Sequence, residues 1–272
     1  MKIYDFDEKF YDYVCAWMAM RPGMTEKQVE EHYNEIMMNW LNAPAKWLNG
    51  EKPGEYFLRY SDPKELIKLL EEYDKRDIGL PEPLYSRVVS VGEPCVEPLM
   101  RVVKNDDNPE SLRATALAIL RDIDSDTMTP LLVDLVCAGK MGDEISEMAA
   151  DVLSDGDGAQ VDALLERYEG ASAFAQLRIL DICCNFPGDE RVYAHLIDNL
   201  RNRPEERAVY ASLLGKLGDA RAVDVLKPFL SLTDIGYLDY IELRSAVEAL
   251  GGDPGEDRTF YGDPDYEAMR NM

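Results

Sequence analysis

Apolar residues recur three or four positions apart along most of the chain, and no useful length alternates with period two. That spacing predicts helices and no sheet. Between about residues 81 and 251 the helical runs come in pairs separated by Asp, Gly and Pro, with a period of roughly 32 residues. One apolar anchor opens the second run of each pair: Leu99, Leu131, Leu164, Leu196 and Leu226, spaced 32, 33, 32 and 30 apart. The connecting turns keep the same step through Asp124, Asp157, Asp189, Asp219 and Asp253. An Asp before a helix accepts hydrogen bonds from the free amides of the first turn and lies at the positive end of the helix dipole, so these residues are expected to cap. In the first runs, Ala114, Ala116, Ala149, Ala150, Ala211 and Ala246 are small enough for neighbouring helices to approach closely.

The ends differ from the middle. Residues 1–80 hold all three tryptophans, Trp17, Trp40 and Trp47. Helices are expected there from Asp5 to Met20, from a capping box at Thr25 and Gln28 to Asn42, and from Asp62, with Pro63 and Glu65 behind it, to Asp77. A terminal repeat leaves one apolar side uncovered, so this aromatic-rich segment is expected to be a cap. Residues 252–272 are rich in Gly, Pro and Asp and are read as an extended tail, which Phe260 and Tyr261 would fold back onto the body. The domain reading is therefore a cap over 1–80, about five helix pairs over 81–251, and an acidic tail over 252–272.

The stretch GKLGDARAVDVLKPFL, Gly215 to Leu230, closely resembles the bacterial HEAT-like repeat of phycobilin lyases, and FPGDERVYAHL and EALGGDP extend that resemblance over residues 186–251. Upstream, from 109 to 169, the spacing persists while DIDSDTMTP and SDGDGAQ replace the Gly-Asp-x-Arg turn. The resemblance implies an all-α fold, a right-handed α-α superhelix in which first helices are convex and second helices line a concave face.

Composition narrows the function. With 53 acidic against 29 basic side chains the formal charge is −24, which repels polyanions and argues against nucleic acid and anionic membrane surfaces as partners. A hydrophobic content of 46% is that of a chain that folds into buried cores. The opening MKIYDFDEKF has acids where a secretory signal has a basic flank, and no run approaches 18 apolar residues, so a cytoplasmic location is expected. Cys15, Cys95, Cys137, Cys183 and Cys184 are odd in number and scattered among apolar neighbours, and are read as free thiols.

Each catalytic or metal constellation is incomplete. Asp155, Asp157 and Glu166 occupy positions one, three and twelve of a calcium-loop template, but Ala159 and Gln160 stand where an oxygen ligand and a Gly are needed. Asp122, Asp124 and Asp126 lack a twelfth ligand altogether. The two histidines, His32 and His195, have no Cys pair at zinc spacing, leaving only a juxtaposition of His195 with Cys183 to consider. Deoxyhypusine hydroxylase shares the HEAT-like architecture but relies on repeated His-Glu pairs, and this chain has no His-Glu dipeptide. The HEAT-like alkylpurine DNA glycosylases depend on a basic groove, whereas 17 acids face 4 bases between Asp122 and Asp198. Gly156 to Gly158 lacks the Lys, the third Gly and the preceding strand of a phosphate loop, and Met18, Met20, Met37 and Met38 beside the tryptophans read as core rather than pocket.

The reading that follows is a non-catalytic protein-protein interaction scaffold without cofactor or metal. The alternative is a lyase-like or regulatory enzyme in which the solenoid holds a prosthetic group or substrate. Positions two or three past the anchors of the second helices are expected to face outward on the concave side: Arg101, Asp134, Glu166, Asp198 and, nearby, Arg201. They form an acidic middle between more basic ends. The expected partner is a protein or peptide with a basic segment.

Overall fold

The computed structural model describes residues 2–23 and 25–270 of the 272-residue chain. Sixteen α-helices and no strand occupy the described residues, so the fold is all-α. No helix among them is long and apolar enough to cross a membrane. The chain divides into two compact units, residues 1–128 and 129–272. The seam expected at residue 80 therefore lies inside the first unit.

The first unit contains α1 (Phe6–Ala19), α2 (Glu26–Glu31), α3 (Tyr33–Asn42), α4 (Pro63–Lys75), α5 (Glu82–Val91), α6 (Val96–Lys104) and α7 (Glu110–Ile123). Its helix starts are where the sequence puts them. The Asp5 carboxylate accepts from the Glu8 amide, Thr25 and Gln28 close a reciprocal capping box, and Asp62 caps α4 ahead of Pro63. The single helix expected from Thr25 to Asn42 is instead broken at His32, although nothing local forbids continuation. The break lets Tyr33 meet Phe10 edge-on at 5.6 Å and brings His32 to 6.1 Å from Trp17.

Phe6 is the centre of the aromatic core, 2% exposed and within 6.0 Å of Trp40, Trp47, Tyr56 and Phe57. The rings meet mostly edge-on or tilted, which favours their quadrupoles and fills the space a ligand would need. Phe57 comes from a 3₁₀ stretch, Pro53–Arg59, that packs against α3 and α5. Helix α4 then buries Leu66, Leu69 and Leu70 and packs against α5, α6 and α7, so the aromatic segment is continuous with the first repeat helices. Of the four methionines expected in the core, Met20 and Met38 are instead exposed.

The second unit contains α8 (Thr129–Ala138), α9 (Glu144–Ser154), α10 (Val161–Tyr168), α11 (Ala173–Cys183), α12 (Glu190–Asn202), α13 (Arg207–Leu217), α14 (Ala222–Leu230), α15 (Tyr237–Ala249) and α16 (Pro264–Arg270). Each helix from α8 to α15 packs on its neighbours in sequence or on the helix two places along, as in α8 with α10, α9 with α11, and α13 with α15. The anchors Leu131, Leu164, Leu196 and Leu226 are all buried, as are Ala149, Ala150, Ala211 and Ala246. Gly215 seats α13 against α15, since a Cβ there would stand 3.4 Å from the Ala246 Cα.

Three of the repeated aspartates shape the turn entering a helix. The Asp157, Asp189 and Asp219 carboxylates accept from the amides of Ala159, Arg191 and Arg221 at 2.9, 2.8 and 3.0 Å. Asp124 does not cap a following helix. It ends α7 in the left-handed conformation, φ 56°, and Ser125 supplies the next turn bond to the Thr127 amide. Asp253 makes the same local bond, to the Gly255 amide, but no helix follows.

The expected extended tail is partly ordered. Phe260 is buried against Tyr237, Tyr240 and Tyr266, while Tyr261 stays 72% exposed, its ring meeting only Tyr266 and Arg270 of the tail among the described residues. Asp263 joins the tail to the body: one carboxylate oxygen accepts from the first amide of α15, at Tyr237, and the other from the amides of Asp265 and Tyr266 in α16. Those bonds to backbone amides hold the Asp263 carboxyl below its ordinary range.

Candidate functional site

The second helices carry the charged positions singled out in the sequence. Because the anchors point inward, Arg101, Asp134, Glu166, Asp198 and Arg201 are all exposed. Asp134 and Glu166 are brought together on the adjacent helices α8 and α10, where they line one groove with Cys137, Ala138, Arg167, Gly170 and Ala171. Its volume is about 560 Å³. Asp198 and Arg201 lie on α12 outside that lining, and Asp198 accepts a 2.8 Å bond from Asn202 of its own helix. Arg101 belongs to the first unit, where it pairs with Glu97 at 3.2 Å.

Arg167 is the residue that sequence reasoning missed. It stands inside the acidic middle and donates from Nη2 to Asp134 Oδ1 at 2.9 Å. Glu166, its neighbour, makes no ion pair among the described residues. A signal for this pairing exists in the spacing, because Asp134 and Arg167 are 33 residues apart, one repeat period. The same rule joins Asp162 to Arg191, Glu190 to Arg221 and Asp181 to Lys216, at separations of 29, 31 and 35. The Arg of each Gly-Asp-x-Arg turn thus clamps its own Asp and reaches one repeat back. Arg221 also lies over the Tyr193 ring, 4.6 Å from its centroid. The hydrogen bonds from Arg191 and Arg221 hold Asp189 and Asp219 below the ordinary carboxylate range.

A second polar cluster bridges α10 to α13. Asn199, 5% exposed, donates from Nδ2 to the Tyr168 hydroxyl and to the His195 carbonyl, both at 2.7 Å. Arg203 donates to Gln176 at 2.7 Å and to the Tyr210 hydroxyl at 3.1 Å, and Tyr210 donates to Glu206. The His195 ring lies against Tyr168, 4.1 Å between centroids, while Cys183 is fully buried. These groups satisfy one another and fix the register of packed helices. They are not arranged as a nucleophile, a base and an orienting group around open space.

All five cysteines are free thiols. Burial pushes Cys183 and Cys184 up to about 12, and raises Cys95 and Cys137 as well, so none of these four is poised as a thiolate near neutral pH. Among the described residues no group of three or more His, Cys, Asp and Glu side chains is arranged to hold a metal ion. The α8–α10 groove presents two carboxylates and one guanidinium to solvent, groups that form ion pairs and hydrogen bonds. Comparison of the chain with family models, with curated proteins and with solved structures returns no match.

Proposed function

We propose that the chain is a non-catalytic interaction scaffold of HEAT-like design, its helix pairs stacked in a right-handed superhelix, and that it holds a basic segment of a partner protein in the groove between α8 and α10. The observation that carries this reading is the pairing in one groove of Glu166, without an ion partner, and Asp134, whose ion partner is the half-exposed Arg167. An exposed pair of that kind contributes only about 0–1 kcal/mol, so a guanidinium or ammonium from outside can displace Arg167 or share Asp134 with it at small cost. The second unit, with 28 acidic against 13 basic side chains, draws such a segment in and repels an acidic one.

The test uses a Lys- and Arg-rich probe peptide and the full chain, with binding read by fluorescence anisotropy at low and moderate salt. Changing Asp134 to Asn and Glu166 to Gln is expected to weaken binding about tenfold and to flatten its salt dependence. An isocharge control, Glu144→Gln and Glu147→Gln on α9, removes as much negative charge from another helix and is expected to change much less. Equal effects of the two double variants would mean that the peptide senses net charge rather than this groove.

A further inference from the structure

Four ion pairs of the second unit join side chains about one repeat apart, and three of them are held more than once. Arg191 reaches Asp162 and also donates to both carboxylate oxygens of Asp189 in its own turn. Arg221 donates to both oxygens of Glu190 and of Asp219 and covers the Tyr193 ring. Lys216 is held by the carbonyl and by the carboxylate of Asp181. Arg167 is the exception. Among the described residues its guanidinium makes one hydrogen bond, from Nη2 to Asp134 Oδ1 at 2.9 Å, and lies over no aromatic ring.

The most weakly held of the four pairs is also the one that lines the α8–α10 groove. Its side chains are 57% and 51% exposed, so Arg167 can swing from Asp134 into water without opening any packing. While it stays, it neutralises one of the two carboxylates in the groove and opposes the approach of another cation. When it leaves, Asp134 and Glu166 both face the groove unpaired. Given a basic segment as the occupant of this groove, we propose that Arg167 is a built-in competitor: its guanidinium holds the place on Asp134 that a cationic side chain of the partner takes, and yields it when that segment binds. Cys137 lines the same groove and is sensitive to the exchange. Burial raises its thiol, Arg167 lowers it in part and Asp134 raises it, so a departing Arg167 pushes it further up.

The test uses the full chain and the Lys- and Arg-rich probe peptide, with affinity read by fluorescence anisotropy and alkylation of Cys137 followed by mass mapping, with and without the probe. Arg167→Gln is expected to tighten binding about threefold to fivefold, the equivalent of an exposed ion pair, and to steepen its salt dependence. Arg167→Ala, made alongside, is expected to do the same, so the outcome does not hang on one replacement. Arg178→Gln removes the same charge from α11 and is expected to change affinity by less than about twofold. In an Asp134→Asn background Arg167→Gln is expected to lose most of its effect, because the contested carboxylate is gone. The probe is expected to protect Cys137 from alkylation. Tightening no greater than that of Arg178→Gln, or weaker binding, with Cys137 still protected overturns the competitor role and leaves the groove as the binding site. A probe that fails to bind, or that binds without protecting Cys137, overturns the groove as the site and the competitor role with it.

Discussion

Asp124 and Gly218 end α7 and α13 in the same left-handed backbone, at φ 56° and 76°, and only the second is a glycine. An L-residue with a Cβ is strained there, and among the described residues the Asp124 side chain makes no hydrogen bond that offsets the strain. Asp124→Gly is therefore expected to stabilise the chain by up to about 1 kcal/mol, the relief being partly cancelled by the greater freedom of glycine in the unfolded state. Thermal denaturation checks it, and an unchanged or lower melting temperature would show that the turn needs the carboxylate. Asp189 and Asp219 make a different residue-scale prediction. Their folded values lie below the ordinary aspartate value of about 3.9, so the unfolded chain binds more protons and the stabilisation they supply is present above that pH. It is lost as the pH falls through their folded values. Urea midpoints measured from pH 6 downward are expected to fall below about pH 4, and less steeply in Asp189→Asn, Asp219→Asn, where the titrating groups are gone.

Helix ends and helix contacts obey different rules, and the tail displays both. Asp263 caps by local bonds to Asp265 and Tyr266, but its bond to Tyr237 spans 26 residues and exists only because Phe260 has brought the chain back. Phe260 packs within 4.9–6.3 Å of three tyrosine rings, and the Arg258 guanidinium covers it at 4.8 Å. Phe260→Ala is expected to destabilise the second unit by about 3 kcal/mol, the low end for truncating a buried ring, since a terminal segment can relax. Chemical denaturation followed by far-UV circular dichroism measures it. A cost near zero would mean that α16 and the preceding loop add nothing to α15. The interruption at His32 has the same origin: Thr25 and Gln28 start a helix by local hydrogen bonds, but where it turns depends on Phe10 and Trp17 from α1.

For the whole molecule, a charge of −24 makes capture of a basic segment weaken as salt is added, because the attraction is between opposite signs and salt screens it. Much of what underlies that surface is legible in the chain alone. Helical spacing, the period of roughly 32, the buried anchors such as Leu164 and Leu196, and the caps at Asp5, Thr25, Asp62 and Asp189 all follow from interactions within one or two turns of backbone, and those depend only on neighbouring residues. The outward direction of Asp134, Glu166 and Asp198 follows from the same periodicity. Which of those charges remain available does not. Arg167 reaches Asp134, and Lys216 reaches Asp181, across a distance set by how two helices lie side by side. The close seat of Gly215 on Ala246 and the open groove between α11 and α13 are likewise decided by side-chain volumes meeting between elements. No rule acting within a single helix contains those volumes, so the tertiary structure alone decides where this surface is paired, where it is filled and where it is left open.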